Sequence, residues 1–359
     1  MKKLDIFIIK KFVTTFLFMI GVFVIIAVVF DVSENIDDFL KSEATFWEVV
    51  IKYYINFCFY FGNLLSAFII FLSVIWFTSK MAQQSEFIAM LSGGVPYTRI
   101  MRPYLIFASL MVLVSLVLGH WIVPMANQIK FDFELQYIRK HLNVSESNVH
   151  QEVAPGVLAY FHRVNVNTHS GSQFSIEYWD QQRLIKKITA PGATYFPDKD
   201  SWRIERAVMR TYLPDGGERV KFYPALDTIL PLKMENFTVR AEVMGAMTTS
   251  RLYDFLDELM MNGSSRVVDA RVELYSRTAN PFSILILTVI GLVIASRRAR
   301  GGTGVHLLLA VVIGFTFIFI SKIAAVAALN IGLSVLLAVW LPNIVFCVLA
   351  FFLFKRAQR

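Results

Sequence analysis

The chain has 359 residues, of which 56% are hydrophobic and 17% charged, and its mean hydropathy is +0.55. That apolar share is above what a soluble domain carries, so a freely soluble enzyme or a nucleic-acid-binding protein is excluded and a membrane protein is expected. The formal net charge of +8 does not mark a basic binding surface, because residues 125–277 hold nineteen bases and nineteen acids and the excess belongs to the membrane part, against anionic lipid.

The first apolar run, at 12–30, follows Lys2, Lys3, Lys10 and Lys11 and is longer than the core of a signal peptide. No small-x-small cleavage site follows it; Asp31, Glu34, Asp37 and Asp38 come instead, so an uncleaved spanning helix is predicted. Further runs at 54–78, 100–123, 279–296, 305–324 and 333–354 bring the expected spans to six. Cys58 and Cys347 both fall inside these runs, which sets aside disulfides and cysteine-metal sites.

Between spans two and three lies MAQQSEFIAMLSGGVPYTRI, residues 81–100. At 100° per residue, Met81, Phe87, Ile88 and Leu91 share one face of a predicted helix, with Glu86 nearly opposite beside Ala82, Ala89 and Met90. Gly93 and Gly94 are expected to end that helix, and Pro96 to keep it from resuming nearby. The acid reads either as a solvated residue of an interfacial helix or as a docking knob that accepts a charge-assisted bond from a partner arginine.

After span three, VLAYFHRVNV, SQFSIEYWD, LIKKITA, ATYF, WRIERAVMRTYL and RVKFYPAL alternate apolar and polar residues and are separated by THSGS, APG, PDKDS and PDGGE. Short strands at such spacing predict a sandwich, jelly roll or open roll of antiparallel sheet. TTSRLYDFLDELMMNG then reads as a helix with Thr249 or Ser250 as cap and Gly263 as stop. His141, His150, His162 and His169 form no metal or hydrolase motif, and GGTG at 301–304 lacks the lysine frame of a phosphate-binding loop; no catalytic residue, metal site or cofactor is assigned to this chain.

Charge sets the orientation. The N-terminus, the 79–102 and 297–304 loops and the C-terminus hold thirteen bases, opposed only by Asp5 and Glu86, while the 31–53 loop holds six acids against Lys41 and Lys52. Both termini are therefore expected in the cytoplasm and the 125–277 block outside.

AQQSEFIAMLSGG resembles the coupling helix of the lipopolysaccharide export permeases of the LptF/LptG (YjgP/YjgQ) family, in which A-Q-x-S-E, a methionine four residues after the glutamate and a following glycine recur. GHWIVPMANQ leaving span three, the strand-rich insert, LYDFLDELMMNG and three closing spans extend the likeness over nearly the whole chain, with details closer to the LptG type. The resemblance implies an α-helical membrane domain of six transmembrane helices with an inserted all-β, jellyroll-like periplasmic domain. Its divisions are 1–124 with a coupling helix at 80–94, a jellyroll at 125–247, a helical connector at 248–278 and the last spans at 279–359. It further implies a subunit of an inner-membrane ABC transporter, paired with a second LptF/LptG-type permease on an LptB-type ATPase dimer that uses ATP and Mg. Lipopolysaccharide would pass to LptC/LptA-type bridge proteins.

Glu86 matches the glutamate of that coupling helix, with Phe87, Met90 and Leu91 expected to pack around it and Gly93 and Gly94 to supply the turn into span three. Lys41 stands where the family sets basic side chains against lipid phosphates, although the neighbouring acids leave a solvated loop lysine as an equal reading. Lys322 has three readings: a phosphate contact, a pair with an acid of the first loop, or a lysine snorkelling to the interface. Phe23, Phe30, Phe315 and Phe319 are candidates for a lateral gate between spans one and five, against ordinary packing or lipid contact. The alternative function is a membrane-anchored sensor or scaffold with an outer ligand-binding β domain.

Overall fold

The structure, a computed structural model, describes residues 3–42, 44–138, 145–165, 168–181, 183–199, 201–214, 216–229, 241–261, 266–297 and 302–357. His141, Gly263, Arg298, Arg300 and Gly301 lie outside the described residues. The chain separates into two compact units, one of residues 1–138, 245–249 and 268–359, the other of residues 139–244 and 250–267.

The first unit is helical. Helix α1 (Lys3–Lys41) is followed by α2 (Phe46–Glu48), which runs through a π-helical turn at Val49–Tyr54 into α3 (Ile55–Gln83). A short α4 (Glu86–Ser92) precedes α5 (Tyr97–Val117), a second π-helical turn at Leu118–Ile122, α6 (Val123–Phe133) and a third at Glu134–Ile138. Helices α7 (Ala241–Ala246) and α8 (Thr249–Met261) fall largely in the second unit, and α9 (Val267–Ala295), α10 (Thr303–Ile331) and α11 (Val335–Ala357) complete the first. Among the described residues, six helical stretches are long and apolar enough to cross a membrane, as the hydropathy runs predict.

The helices outrun the apolar windows. Continuous helix reaches Tyr137 in the third stretch, past the expected boundary at 124, and the fourth begins at Val267 rather than 279. Hydropathy marks where a helix can sit in lipid, but the i to i−4 ladder continues until a breaker stops it, and polar flanks such as Val267–Thr278 contain none. At 1.5 Å per residue the 39 residues of α1 extend about 58 Å, against a hydrocarbon core of about 30 Å.

One apolar cluster joins Ile8, Phe12 and Phe16 of α1, Ile70, Phe77 and Met81 of α3 and Ile100, Tyr104 and Phe107 of α5. A second joins Phe71 and Ile75 of α3, Leu287 and Ile290 of α9, Ala310 of α10 and Phe346 of α11. Because lipid tails are as apolar as these side chains, such contacts hold helices together through close packing and dispersion. Within α1 the buried residues Asp5, Ile8, Phe12 and Phe16 form a stripe at helical spacing confined to its first turns. At the far end of α5, Pro124 has no N–H to give the His120 carbonyl one turn back, and the wide turn at Leu118–Ile122 absorbs the defect. The Thr249 hydroxyl donates to that carbonyl at 3.2 Å instead.

The second unit carries strands β1 (Ser145–Ala154), β2 (Val157–Asn165), β3 (Ser170–Asp180), β4 (Arg183–Phe196), β5 (Ser201–Tyr212) and β6 (Glu218–Thr228). They form one antiparallel sheet in the order β1-β2-β3-β4-β5-β6. Every neighbour in the sheet is a neighbour in sequence, so the described strands are a meander, without the Greek-key crossovers of a jelly roll; the all-β antiparallel insert is as expected.

The sheet is folded over on itself. Strands three apart stand about 14 Å from one another in a flat sheet, yet the Phe161 ring on β2 and the Trp202 ring on β5 have centroids 5.5 Å apart. The fold line is visible in the pairing. Registers step over Asn148, His162, Gln173, Pro191, Arg206 and Pro224, which stand in line across the six strands, and between β4 and β5 the gap widens to include Ala190 and Ala207. Pro191 and Pro224 cannot donate to the ladder, and Gln173 and Arg206 turn to positive φ of 50° and 51°. Ala190-Pro191-Gly192, expected as a turn dividing LIKKITA from ATYF, is therefore the crease inside one continuous 14-residue strand. Ala159, Phe161, Phe174, Ile176, Ile188, Trp202 and Ile204 fill the enclosed face, each full burial worth about 1.5–3 kcal/mol for a large side chain.

Candidate functional site

The segment after α3 is built by two left-handed residues. Ser85, at φ 60° and ψ 7°, ends the preceding turn and starts α4 at Glu86. The expected single helix over 80–94 is thus broken, and residues 81–83 belong to the end of α3. At the other end the Val95 N–H donates to Met90 O (3.2 Å) and the Gly94 N–H to Leu91 O (3.0 Å). This is a Schellman closure, which needs its αL residue to be glycine in practice, and Gly94 sits at φ +80°. Gly93 is the C-cap, and Pro96 does not delay the next helix: it is the N-cap of α5, its carbonyl accepting from Arg99 N–H at 2.8 Å.

The break at Ser85 changes which face points where. Met81 and Phe87 are fully buried, but Ile88 and Leu91 are 45% and 41% exposed, so the four do not share a face. Phe87 joins the cluster with Ile8 and Phe12, and its ring lies 5.9 Å from that of Tyr97. Phe87 is therefore an anchor for the loop rather than a contact offered to a partner. Met90 packs half-buried on the same cluster, and Leu91 is the residue of the expected set that stays outward.

Glu86 is not solitary. Lys11 Nζ of α1 donates to Glu86 Oε2 at 2.7 Å, with about a third of each side chain exposed, and the Lys11 ammonium also stands 4.4 Å from the Phe7 ring centre. Beside it, Arg99 makes a two-pronged bond to Asp5, Nη1 to Oδ1 at 2.5 Å and Nη2 to Oδ2 at 2.8 Å, and Asp5 is buried. The two acids that interrupt the thirteen-base pattern are thus the two that are paired. Sequence reading registered them as exceptions; their partners, 75 and 94 residues away, carried no local signal.

The loop is also tied to the closing helices. Ser79 Oγ lies 2.9 Å from Nδ1 of the buried His306 on α10, Gln83 Nε2 donates to Thr303 Oγ1 at 3.4 Å, and Tyr97 OH donates to Ser296 Oγ at 3.3 Å. Thr303, in the GGTG stretch, thus supplies one of these ties.

The remaining candidates are dispersed. Lys41 is the exposed last residue of α1 and Lys322 is exposed on α10; neither makes an ion pair with a described residue. Phe23 and Phe315 both contact Phe68 of α3, at centroid distances of 6.2 and 5.8 Å, so a ring not singled out from sequence stands between them. Phe30 and Phe319 are 71% and 65% exposed. His150 lies against the Tyr160 ring and His169 sits in a turn at positive φ, and no metal-binding cluster occurs among the described residues.

Residues 6–356 match the family model for the lipopolysaccharide export system permease LptF/LptG. The chain is also similar to the lipopolysaccharide export system permease protein LptG of Haemophilus influenzae, 21% identical over 284 residues that cover 78% of each chain.

Proposed function

Because the chain belongs to the LptF/LptG family of lipopolysaccharide export permeases, we propose that it draws lipopolysaccharide from the inner membrane and passes it to a periplasmic bridge of the LptC/LptA type, driven by a separate LptB-type ATPase. A second LptF/LptG-type permease completes the complex, and ATP and Mg are used by the ATPase rather than by this chain. The chain is a multi-pass inner-membrane protein; the excess of bases beside Asp5 and Glu86 supports a cytoplasmic placement of both termini and α4, with the β insert in the periplasm. At about 0.8 kcal/mol per CH₂, several acyl chains moved into water cost tens of kcal/mol, so the lipid has to travel between apolar surfaces. The exposed faces of Phe30, Phe315 and Phe319 suit such a path, and Lys41 and Lys322 are exposed cations able to meet lipid phosphates.

The observation that carries the proposal is α4 itself. It is a short helix fixed from behind by buried Phe87 and closed at Gly94, and it presents Ile88, Leu91 and a part-exposed carboxylate. Two apolar side chains beside one acid fit a cleft with an apolar floor and a basic wall, which is what the ATPase would have to provide. The test is Glu86→Ala in the complete complex in lipid. A charge-assisted bond of about 1.5–3 kcal/mol should be lost, lowering ATPase retention roughly ten- to hundredfold while membrane insertion is unchanged. Normal ATPase retention and normal lipid export by that variant would refute the coupling role. Export independent of ATP hydrolysis would favour the sensor or scaffold.

A further inference from the structure

We infer that Lys11 is a positioning residue that passes displacement of α4 to the first membrane span, an inference that rests on the docking role proposed for Glu86. The chain connects α4 covalently to α3 and α5, that is, to spans two and three. Span one is connected to it only through the whole of span two. What joins them is the Lys11–Glu86 pair and the packing of Ile8 and Phe12 near Phe87, while the Asp5–Arg99 pair ties span one to α5 beside them. All of these lie in the first turns of α1, and beyond Phe16 the helix has no buried residue among those described. Further along, span one touches the second stretch through Phe23–Phe68 and, at its far end, through Asp31–Tyr53 and Phe39–Tyr53, but none of these contacts reaches α4.

The polarity of the two pairs is crossed: α1 gives an acid to α5 and a base to α4. A slide or rotation of α1 against the loop separates both pairs at once. The two differ in strength. Asp5 is buried and bonded through both oxygens, which makes the pair with Arg99 the fixed point. Lys11–Glu86 is about a third exposed and is worth at most about 1 kcal/mol to stability. Its weight is in geometry. Lys11 occupies Oε2, and Oε1 makes no hydrogen bond to a described residue, so the carboxylate can hold Lys11 on one oxygen and a partner's base on the other. In that arrangement the partner's base, Glu86 and span one form a continuous chain of contacts.

The experiment compares Lys11→Gln and Lys11→Arg in the assembled transporter in lipid, reading ATPase retention, ATP hydrolysis and lipopolysaccharide extracted per ATP. Lys11→Gln is expected to keep retention and hydrolysis within about twofold and to lower extraction per ATP about five- to tenfold, the size of a mid-path coupling contact, with Lys11→Arg restoring it. If Lys11→Gln yields no complex, Lys11→Met, which keeps an unbranched side chain of similar length without the charge, is read in the same way. Unchanged extraction per ATP in the uncharged variants, or failure of Lys11→Arg to restore it, overturns the inference. If Glu86→Ala still sheds the ATPase in that case, the docking role stands and only the link to span one falls. If Glu86→Ala retains the ATPase and exports normally, the docking role fails by its own test.

Discussion

In the β insert the large rings of Trp202, Phe161 and Phe174 are almost fully buried, whereas in the membrane unit Phe30, Phe315 and Phe319 are each at least 60% exposed. Both patterns are stable because the surroundings differ. The insert turns its apolar face in and its polar face out, and the fold-over at Pro191 and Pro224 lets one sheet supply both sides of a core. The membrane unit gains little by hiding apolar side chains from lipid, so its specificity rests on close packing and on a few polar bonds. A buried ring is therefore informative about stability in the insert, while in the membrane unit it is the paired charge that is informative. Asp5–Arg99 and Lys11–Glu86, both at the candidate site, are the case in point.

Three variants test this contrast. The largest effect belongs to Trp202→Ala, which removes a fully buried ring contacting Phe161 and Tyr195 and should destabilise the insert by about 3–5 kcal/mol. Amide exchange across β2–β5 in the full chain should accelerate while exchange in α5 and α9 stays unchanged; slow exchange in both regions would contradict a core confined to the sheet. Next is Asp5→Asn, which leaves the Arg99 guanidinium short of its charged partner at a cost of about 1–3 kcal/mol. Exchange at the start of α1 and at Tyr97–Ile100 should rise together, and independent behaviour of the two segments would separate them.

The smallest effect concerns surface pairs of the sheet. The Lys187 ammonium, 2.7 Å away, holds Glu177 below the usual carboxylate range, and Arg203 does the same for Asp227. A lowered carboxylate contributes stability above its unfolded pKa, near about 4, and loses it as pH falls through the folded value. Thermal unfolding of the full chain at pH 7 and pH 3 should show slightly more acid loss in the parent than in Glu177→Gln, by less than about 1 kcal/mol. A larger acid loss in the variant would reverse the assigned sign.

Spans and strands were legible because each follows from a local pattern, uninterrupted hydropathy in one case and alternation in the other. Ala190-Pro191-Gly192 misled because a proline-glycine pair carries the same local signal in a turn and in a crease, and only the aligned gaps of five other strands distinguish them. Glu86 stood out as an acid in a basic loop. The facing of Phe87 and Ile88 did not follow, because one left-handed residue, Ser85, ends the 100° progression on which the helical wheel depends. Lys11 and Arg99 were hidden among other bases, and chain separation left nothing in the sequence to pair them with Glu86 and Asp5.

The central claim is that α4 docks the ATPase through its outward side chains, with Phe87 held inside. A photo-crosslinking amino acid placed singly at positions 87, 88 and 91 of the assembled complex tests it most directly. Covalent adducts with the ATPase are expected from positions 88 and 91, and an adduct within this chain from position 87. Adducts with the ATPase from position 87 alone, or with lipid from positions 88 and 91, would contradict it.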